Sequence, residues 1–308
     1  MLWYIGRRLL QVIPVFLGAT LLLYGLVFLR PGDPVAALGG ERGLSPAAEL
    51  AIREAYHLDQ PFFMQYLYFL KGVFTFDMGV TFTGRPVVEV IAQAFPVTFQ
   101  LALMAIVIET VFGIGFGLWA GVRKGKFFDS TVLLWSLVLI SVPTFVIGFV
   151  LQAVVGVQLG WLPITAGRDP DVVSLLMPAV VLATTSFAYI LRLTRTSVVE
   201  NITADFVRTA RAKGLPRNKI MTRHVLRNSL IPVVTFIGID LGNLMAGSIV
   251  TEGIFNINGV GGTLYQAIIR GENVTVVSLA TVLVVVYIVA NLIVDVFYAV
   301  LDPRIRYA

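Results

Sequence analysis

Three acidic residues lie inside long apolar stretches of this sequence: Glu109, Asp240 and Asp295. A charged side chain that faces lipid costs on the order of 3 kcal/mol, so each must face a partner or water. Asp240 lies in the middle of its stretch, which predicts either a transport role or a buried structural pair. A structural role is expected for Glu109, and Asp295 lies near enough to the end of its stretch for hydration.

The elements that must position these acids are long apolar helices. The chain has 308 residues, of which 57% are hydrophobic and 13% charged, and its mean hydropathy is +0.86. Soluble domains carry about 25% charged residues, so the composition predicts an all-α integral membrane protein. Six stretches are long enough to cross a bilayer as helices: 9–29, 97–121, 131–157, 172–191, 231–251 and 276–301.

The basic residues predict how these spans are oriented. Most of the 23 Lys and Arg residues fall before the first span, after the sixth, or in the loops that follow the second and fourth. By the positive-inside rule those segments are cytoplasmic, and both chain termini are therefore predicted to be cytoplasmic.

Catalytic and metal-binding patterns are missing from the sequence. There is no cysteine, and the two histidines, His57 and His224, are predicted to lie on opposite sides of the membrane. The segment 121–127 has neither the spacing nor the hydroxyl of a phosphate-binding GxxxxGK[ST] loop. The hydroxyl cluster at 184–186 has no neighbouring base. The sequence therefore predicts no enzyme activity, no metal and no cofactor in this chain.

Small residues recur every fourth position in the second span, at Gly113, Gly117 and Gly121, and in the fifth span. Such stripes mark close helix–helix contacts in membranes. For the second span we expect packing within the chain, although contact with another chain would give the same pattern.

The most basic passage is 205–232, DFVRTARAKGLPRNKIMTRHVLRNSLIP. Gly214 followed by Leu215 and Pro216 predicts one helix, a tight turn and a second helix. Three interpretations fit this pattern: a DNA-binding helix-turn-helix, a basic loop that only fixes topology, and a docking element. Apolar spans flank the passage on both sides, which argues against DNA binding.

The runs FVRTARAKGL and RHVLRNSLIPVV resemble the cytoplasmic coupling loop of bacterial ABC-importer permeases, in the dipeptide/oligopeptide/nickel branch. Arg208, Thr209, Ala210 and Gly214 occupy the positions of the Glu-Ala-Ala motif and its later glycine. The acidic first residue is basic here, and Leu226-Arg227 replaces the usual Leu-Pro ending. PGDP (31–34), LDQPFFMQYLYFL (58–70), FDMGVTF (76–82), FPVTFQLAL (95–103) and the tail LDPRIRYA (301–308) are also similar to that branch.

The resemblance implies a type I permease fold with six spans, divided into a first span with a long external loop (1–96) and a core (97–308) whose coupling loop is 192–230. It also implies a bacterial inner-membrane location. The expected partners are a second permease subunit, two ATP-binding domains that hold ATP and magnesium, and an external substrate-binding protein.

The resemblance also implies roles for particular residues. The expected contacts to the ATP-hydrolysing partner are Arg208, Thr209, Ala210, Arg211, Ala212, Lys213, Gly214 and Leu215. Asp240, Asn243 and Met245 are expected to line the pathway, and Asn258, Gly259 and Gly261 to form an external gate or docking face. The expected cargo is di- or oligopeptides or a similar small solute, and nickel chelates, haem and glutathione remain open. An ion-coupled transporter and a non-transporting scaffold are the alternatives.

Overall fold

The computed structural model describes residues 2–29, 45–55, 57–167 and 169–301. Within these ranges the regular structure is helical, apart from a single bridge between Val80 and Pro86, which confirms the predicted all-α class. The segment PGDP and most of the C-terminal tail lie outside the described residues. The helices are α1 (Leu2–Phe28), α2 (Pro46–Ala55), α3 (Phe62–Thr75), α4 (Val87–Val122), α5 (Phe127–Ser141), α6 (Thr144–Gln158), α7 (Val172–Thr203), α8 (Asp205–Ala212), α9 (Arg217–Ile254), α10 (Val260–Arg270) and α11 (Asn273–Leu301).

Five of the described helices are long and apolar enough to cross a membrane: α1, α4, α7, α9 and α11. The third predicted span, 131–157, is wrong as a single helix, because α5 and α6 meet there at an angle of 102°. Pro143 explains the break, since proline disfavours a helical conformation in the residue before it. Val142 is accordingly extended, with φ −88° and ψ 126°. If this bent pair of helices is counted as one span, the described residues contain six candidate spans.

Other prolines lie inside continuous helices. Pro96 falls within α4, which begins at Val87 rather than at the predicted residue 97. Pro232 falls within α9, so the basic second helix of the 205–232 passage and the fifth span form one helix of 38 residues. A π-helical turn, Met221–Leu226, lies near its start. Proline is tolerated in membrane helices where neighbouring groups satisfy the freed carbonyl.

The chain divides into two compact units. The first contains residues 1–99 and 248–308, and two clusters of its core lie among the described residues. In one, Tyr24, Tyr66 and Val277 are buried together, and the hydroxyls of Thr20 and Tyr66 lie 2.9 Å apart. The other cluster joins α4, α10 and α11 through Ala94, Val260, Leu264, Leu279 and Leu283. The division of the sequence at residues 96 and 97 stays a prediction about domain organisation.

The second unit, residues 100–247, is built on close packing of α4 against α7. A Cβ atom added to Gly113 would lie 2.6 Å from Cγ2 of Ile190, and one on Gly117 would lie 2.5 Å from the carbonyl oxygen of Leu191. One on Gly121 would lie 2.8 Å from Val198. The small-residue stripe of the second span thus packs within the chain, as predicted.

This contact predicts a sharp difference between two glycines of one helix. Gly117→Ala should destabilise the protein by about 1–3 kcal/mol, because the added methyl group meets the backbone of α7. Gly115→Ala places its methyl group in open space and should be neutral or slightly stabilising. Thermal unfolding of the two variants in detergent measures the difference, and equal midpoints would contradict the α4–α7 packing.

Candidate functional site

The candidate site is the short helix α8 and the turn that joins it to α9. Gly214 has a left-handed φ of +73°, as predicted from its place before Leu215 and Pro216. Its amide donates to the carbonyl of Arg211 at 2.9 Å, and the amide of Leu215 donates to that of Ala210 at 3.2 Å. These bonds close the end of α8 in the manner usual for a glycine-terminated helix.

The inner face of α8 is packed onto the neighbouring helices. Val207 and Ala210 are buried in one cluster with Val198 of α7 and with Ile220 and Val225 of α9. Leu215 is half-buried against the same cluster. A helix held by apolar contacts on both neighbours moves with them as a rigid body. Ala210 and Leu215, two of the eight residues predicted to contact a partner, therefore anchor the helix.

The outer face of α8 is exposed and mostly basic. Arg208, Thr209, Arg211, Ala212, Lys213 and Gly214 are exposed, together with Phe206; these seven residues are the α8 surface. Arg208 and Asp205 approach to 3.3 Å, but both are so exposed that their pairing contributes little. The surface therefore presents three cationic side chains, one aromatic ring (Phe206) and small side chains to solvent.

The end of α7 that leads into α8 is fixed by a buried ion pair. The carboxylate of Asp129, 2% exposed, accepts from Nε and Nη2 of Arg195 at 3.0 and 2.7 Å. It also accepts from the amide of Gly125 at 2.8 Å. The pair ties α5 and the preceding loop to α7. In the sequence, Arg195 was only one of the basic residues after the fourth predicted span that indicate which side is cytoplasmic. The feature that could have indicated the ion pair is Asp129, an acidic residue in the first turn of an apolar helix.

The three predicted pathway residues do not share one environment. Asn243 is exposed, whereas Met245 and Asp240 are 1% and 2% exposed. The amide of Asn243 donates to Oδ1 of Asp240 over a long 3.4 Å. The carboxyl group of Asp240 lies within hydrogen-bonding reach of that of Glu109, so the acids form a buried pair. Pathway lining stays a prediction for all three residues.

The remaining ionisable groups singled out from the sequence have ordinary settings. Asp295 pairs with Arg8 at 3.2 Å, and its hydration stays a prediction. His57 stacks on Tyr68 with ring centroids 4.0 Å apart, and His224 lies in α9. No group of three or more His, Asp or Glu side chains clusters among the described residues.

The loop between α9 and α10 is organised around a buried carboxylate that sequence reasoning missed. Glu252, 0% exposed, accepts from the hydroxyl of Thr98 at 2.8 Å and from the amide of Gly262 at 2.7 Å. A carboxylate in this position also interacts favourably with the N-terminus of α10. Of the predicted gate residues, Asn258 is exposed, Gly259 is buried beside this carboxylate, and Gly261 is buried against Ile249. The predicted role of these residues in gating or docking remains a prediction.

The glycines at the end of this loop and in the first turn of α10 have no room for a side chain. A Cβ on Gly261 would lie 2.8 Å from the backbone of Ile249. Gly261→Ala should therefore cost about 1–3 kcal/mol of stability and lower the yield of folded protein. Asn258→Ala, three residues earlier and exposed, is the control. Equal yields and unfolding midpoints of the two variants would contradict the loop geometry.

The long apolar helices define a polytopic membrane protein, and the exposed, mostly basic α8 surface lies between two of these helices in the sequence. A family described as the binding-protein-dependent transport system inner membrane component matches residues 113–307. A second family, described as the N-terminal part of the membrane component of binding-protein-dependent transport systems, matches residues 1–102. The chain therefore belongs to the family of binding-protein-dependent transport permeases of the inner membrane.

Full-length relatives agree with the family. The chain is 37% identical to the dipeptide transport system permease protein DppB of Escherichia coli K12, over 100% of this chain and 99% of the relative. It is 35% identical to the di/tripeptide transport system permease protein DppB of Pseudomonas aeruginosa UCBPP-PA14, with the same coverage. Identity to the dipeptide permease of Alkalihalophilus pseudofirmus OF4 is 32%, over all of both chains.

Proposed function

We propose that this chain is one of two permease subunits of an ATP-driven importer, and that ATP-hydrolysing subunits dock on its α8 surface. The observation that carries the proposal is the rigid attachment of that surface to a span-length helix. Val207 and Ala210 of α8 pack on Ile220 and Val225 of α9, so a push on α8 is transmitted to α9 without an intervening flexible joint.

The length of α9 makes it a suitable lever. Its 38 residues extend about 57 Å at 1.5 Å per residue, well beyond the roughly 30 Å of hydrocarbon. The same helix carries the buried Asp240 and the exposed Asn243. Movement of its docking end would therefore shift polar groups within the membrane, which is how a packed bundle is switched between inward and outward access.

The proposal requires the α8 surface and the loop at Asn258 to lie on opposite sides of the membrane, with α8 inside. Because the chain contains no cysteine, Thr209→Cys and Asn258→Cys each introduce a unique exposed thiol. A membrane-impermeant maleimide added to intact spheroplasts should label position 258 and spare position 209 until the cells are lysed. The reverse pattern would contradict the orientation.

Di- or oligopeptides are the proposed cargo, because relatives that align over the whole chain are named as dipeptide or di/tripeptide permeases. The test is uptake of radiolabelled dialanine into proteoliposomes that contain the chain with the proposed second permease, the ATPase subunits and the binding protein. ATP-dependent uptake that unlabelled dipeptide competes away supports peptide transport. ATP-dependent uptake of a nickel chelate, haem or glutathione instead of dipeptide would support the importer proposal but contradict peptides as the cargo.

An ion-coupled transporter is distinguished by the same preparation. It would carry solute as the purified single chain, driven by a proton gradient and without ATP. The importer proposal predicts no flux from the isolated chain. Flux driven by a proton gradient alone would overturn it.

A further inference from the structure

Glu109 and Asp240 meet inside the membrane-spanning part of the second unit without donors for most of their oxygens. Glu109 is 0% exposed and Asp240 is 2% exposed. Both carboxyl oxygens of Glu109 and Oδ2 of Asp240 have no hydrogen-bond partner. Oδ1 of Asp240 accepts the long bond from Asn243. The two carboxyl groups lie within hydrogen-bonding reach of each other, although a pair of carboxylates has no hydrogen to share.

Among the described residues, neither Glu109 nor Asp240 forms an ion pair with a cationic side chain. Helix α7 packs against α4 at Gly113 and against α9 through Tyr189 and Phe236. Its nearest cationic groups on the sequence are Arg192, which is exposed, and Arg195, which is bound to Asp129. Among the described residues the charged group acting on Glu109 is Asp240. Two adjacent like charges in an apolar setting cannot both be ionised, because mutual repulsion and lost hydration both oppose it.

We propose that Glu109 and Asp240 form a proton-binding site that joins α4 to α9. One proton bridges a carboxyl oxygen of Glu109 and Oδ2 of Asp240, while Asn243 holds Oδ1. This arrangement gives both oxygens of Asp240 a donor and leaves one net negative charge in place of two. It explains the contact between two acceptors with the residues present, and it does not depend on which solute the protein carries.

The site has a consequence for the movement of α9. The bridging proton belongs to both carboxyl groups, so separating α4 from α9 breaks the bridge and changes how tightly the proton is held. Because α9 begins directly after the turn that joins it to α8, a displacement of that turn is linked to proton binding in the membrane. Linkage of this kind is reciprocal: pH must shift the equilibrium between the two arrangements of α9.

Infrared spectroscopy of the protein in lipid nanodiscs tests the site directly. A protonated carboxyl group has a carbonyl stretch that is separate from the amide bands and moves on deuteration. The wild-type protein is expected to show this band at neutral pH. Glu109→Gln should abolish it, because the amide donates to Asp240 in place of the proton. Glu89→Gln, exposed in the first turn of the same helix, should leave the band unchanged.

Asp240→Asn decides whether the proton is shared. In a shared site the band of Glu109 is expected to shift or disappear in this variant. A band that Asp240→Asn leaves unchanged would show a lone protonated Glu109 and overturn the shared site. A second contrary result is a wild-type protein that lacks the band and unfolds at a higher temperature in sodium chloride than in choline chloride. That result would show that the two acids bind a metal cation and not a proton, and it would overturn the proposed site.

Discussion

Replacing Gly214 by valine is expected to uncouple ATP hydrolysis from solute uptake. The residue has φ +73° and open space around its Cβ position, so the substitution meets no neighbouring atom and acts only through the backbone. A left-handed conformation costs an L-residue about 1–2 kcal/mol, and more for a β-branched side chain. The turn should relax toward negative φ and tilt α8 away from α9, which lowers uptake per ATP hydrolysed by about tenfold.

Gly214→Asn is the matched control, because asparagine tolerates the left-handed region far better than valine does. Both side chains would be exposed at the same position. The measurement is the ratio of dialanine uptake to phosphate release in proteoliposomes, with subunit composition checked by gel. Coupling that is equally normal in both variants would show that the conformation of the turn does not matter.

Replacing Arg195 by methionine is expected to destabilise the second unit strongly. The substitution leaves the carboxylate of Asp129, 3% exposed at its side chain, without its guanidinium partner. Removal of one member of a buried ion pair costs about 3–5 kcal/mol, because the remaining charge is unpaired. Since the pair holds α7 to α5 immediately before α8, we expect a lower unfolding temperature and weaker binding of the ATP-hydrolysing subunit.

Two controls separate the ion pair from a general loss of positive charge. Arg192→Met removes an exposed cation three residues earlier on the same helix and should change the unfolding temperature little. Adding Asp129→Asn to Arg195→Met removes the stranded charge, retains an acceptor for the amide of Gly125, and should recover most of the lost stability. An Arg192 variant as unstable as the Arg195 variant would refute the role of the pair.

The parts of the fold that were predictable are those set by neighbours in the sequence. The turn at Gly214 and Pro216 was predictable because it depends on the φ preferences of two adjacent residues. The break at Pro143 was not, because Pro96, Pro178 and Pro232 lie inside continuous helices. Whether a membrane proline ends a helix depends on packing partners that its neighbours in the sequence do not reveal.

The pairs of residues that are far apart in the sequence could not be predicted, because each depends on how two helices pack. The intramembrane acids Glu109 and Asp240 could be found as charges in apolar stretches, but their pairing depends on how α4 and α9 pack. Arg195 and Asp129 are 66 residues apart, and Thr98 and Glu252 are 154 residues apart. A single sequence gives the residues of such contacts and not their partners.

Cysteine cross-linking at Thr209 tests directly whether the ATP-hydrolysing subunit docks on the α8 surface. In the otherwise cysteine-free chain, Thr209→Cys places one reactive group in the middle of the α8 surface. A maleimide–benzophenone reagent is attached to that thiol in membranes containing the whole transporter and is photoactivated, so that no thiol is needed on the partner, and Asn258→Cys serves as the control in the loop between α9 and α10. We expect one cross-linked product from position 209 that contains the ATP-hydrolysing subunit, and no such product from position 258. A cross-link to that subunit from 258, or none from 209 in an assembled and active complex, would contradict docking on α8.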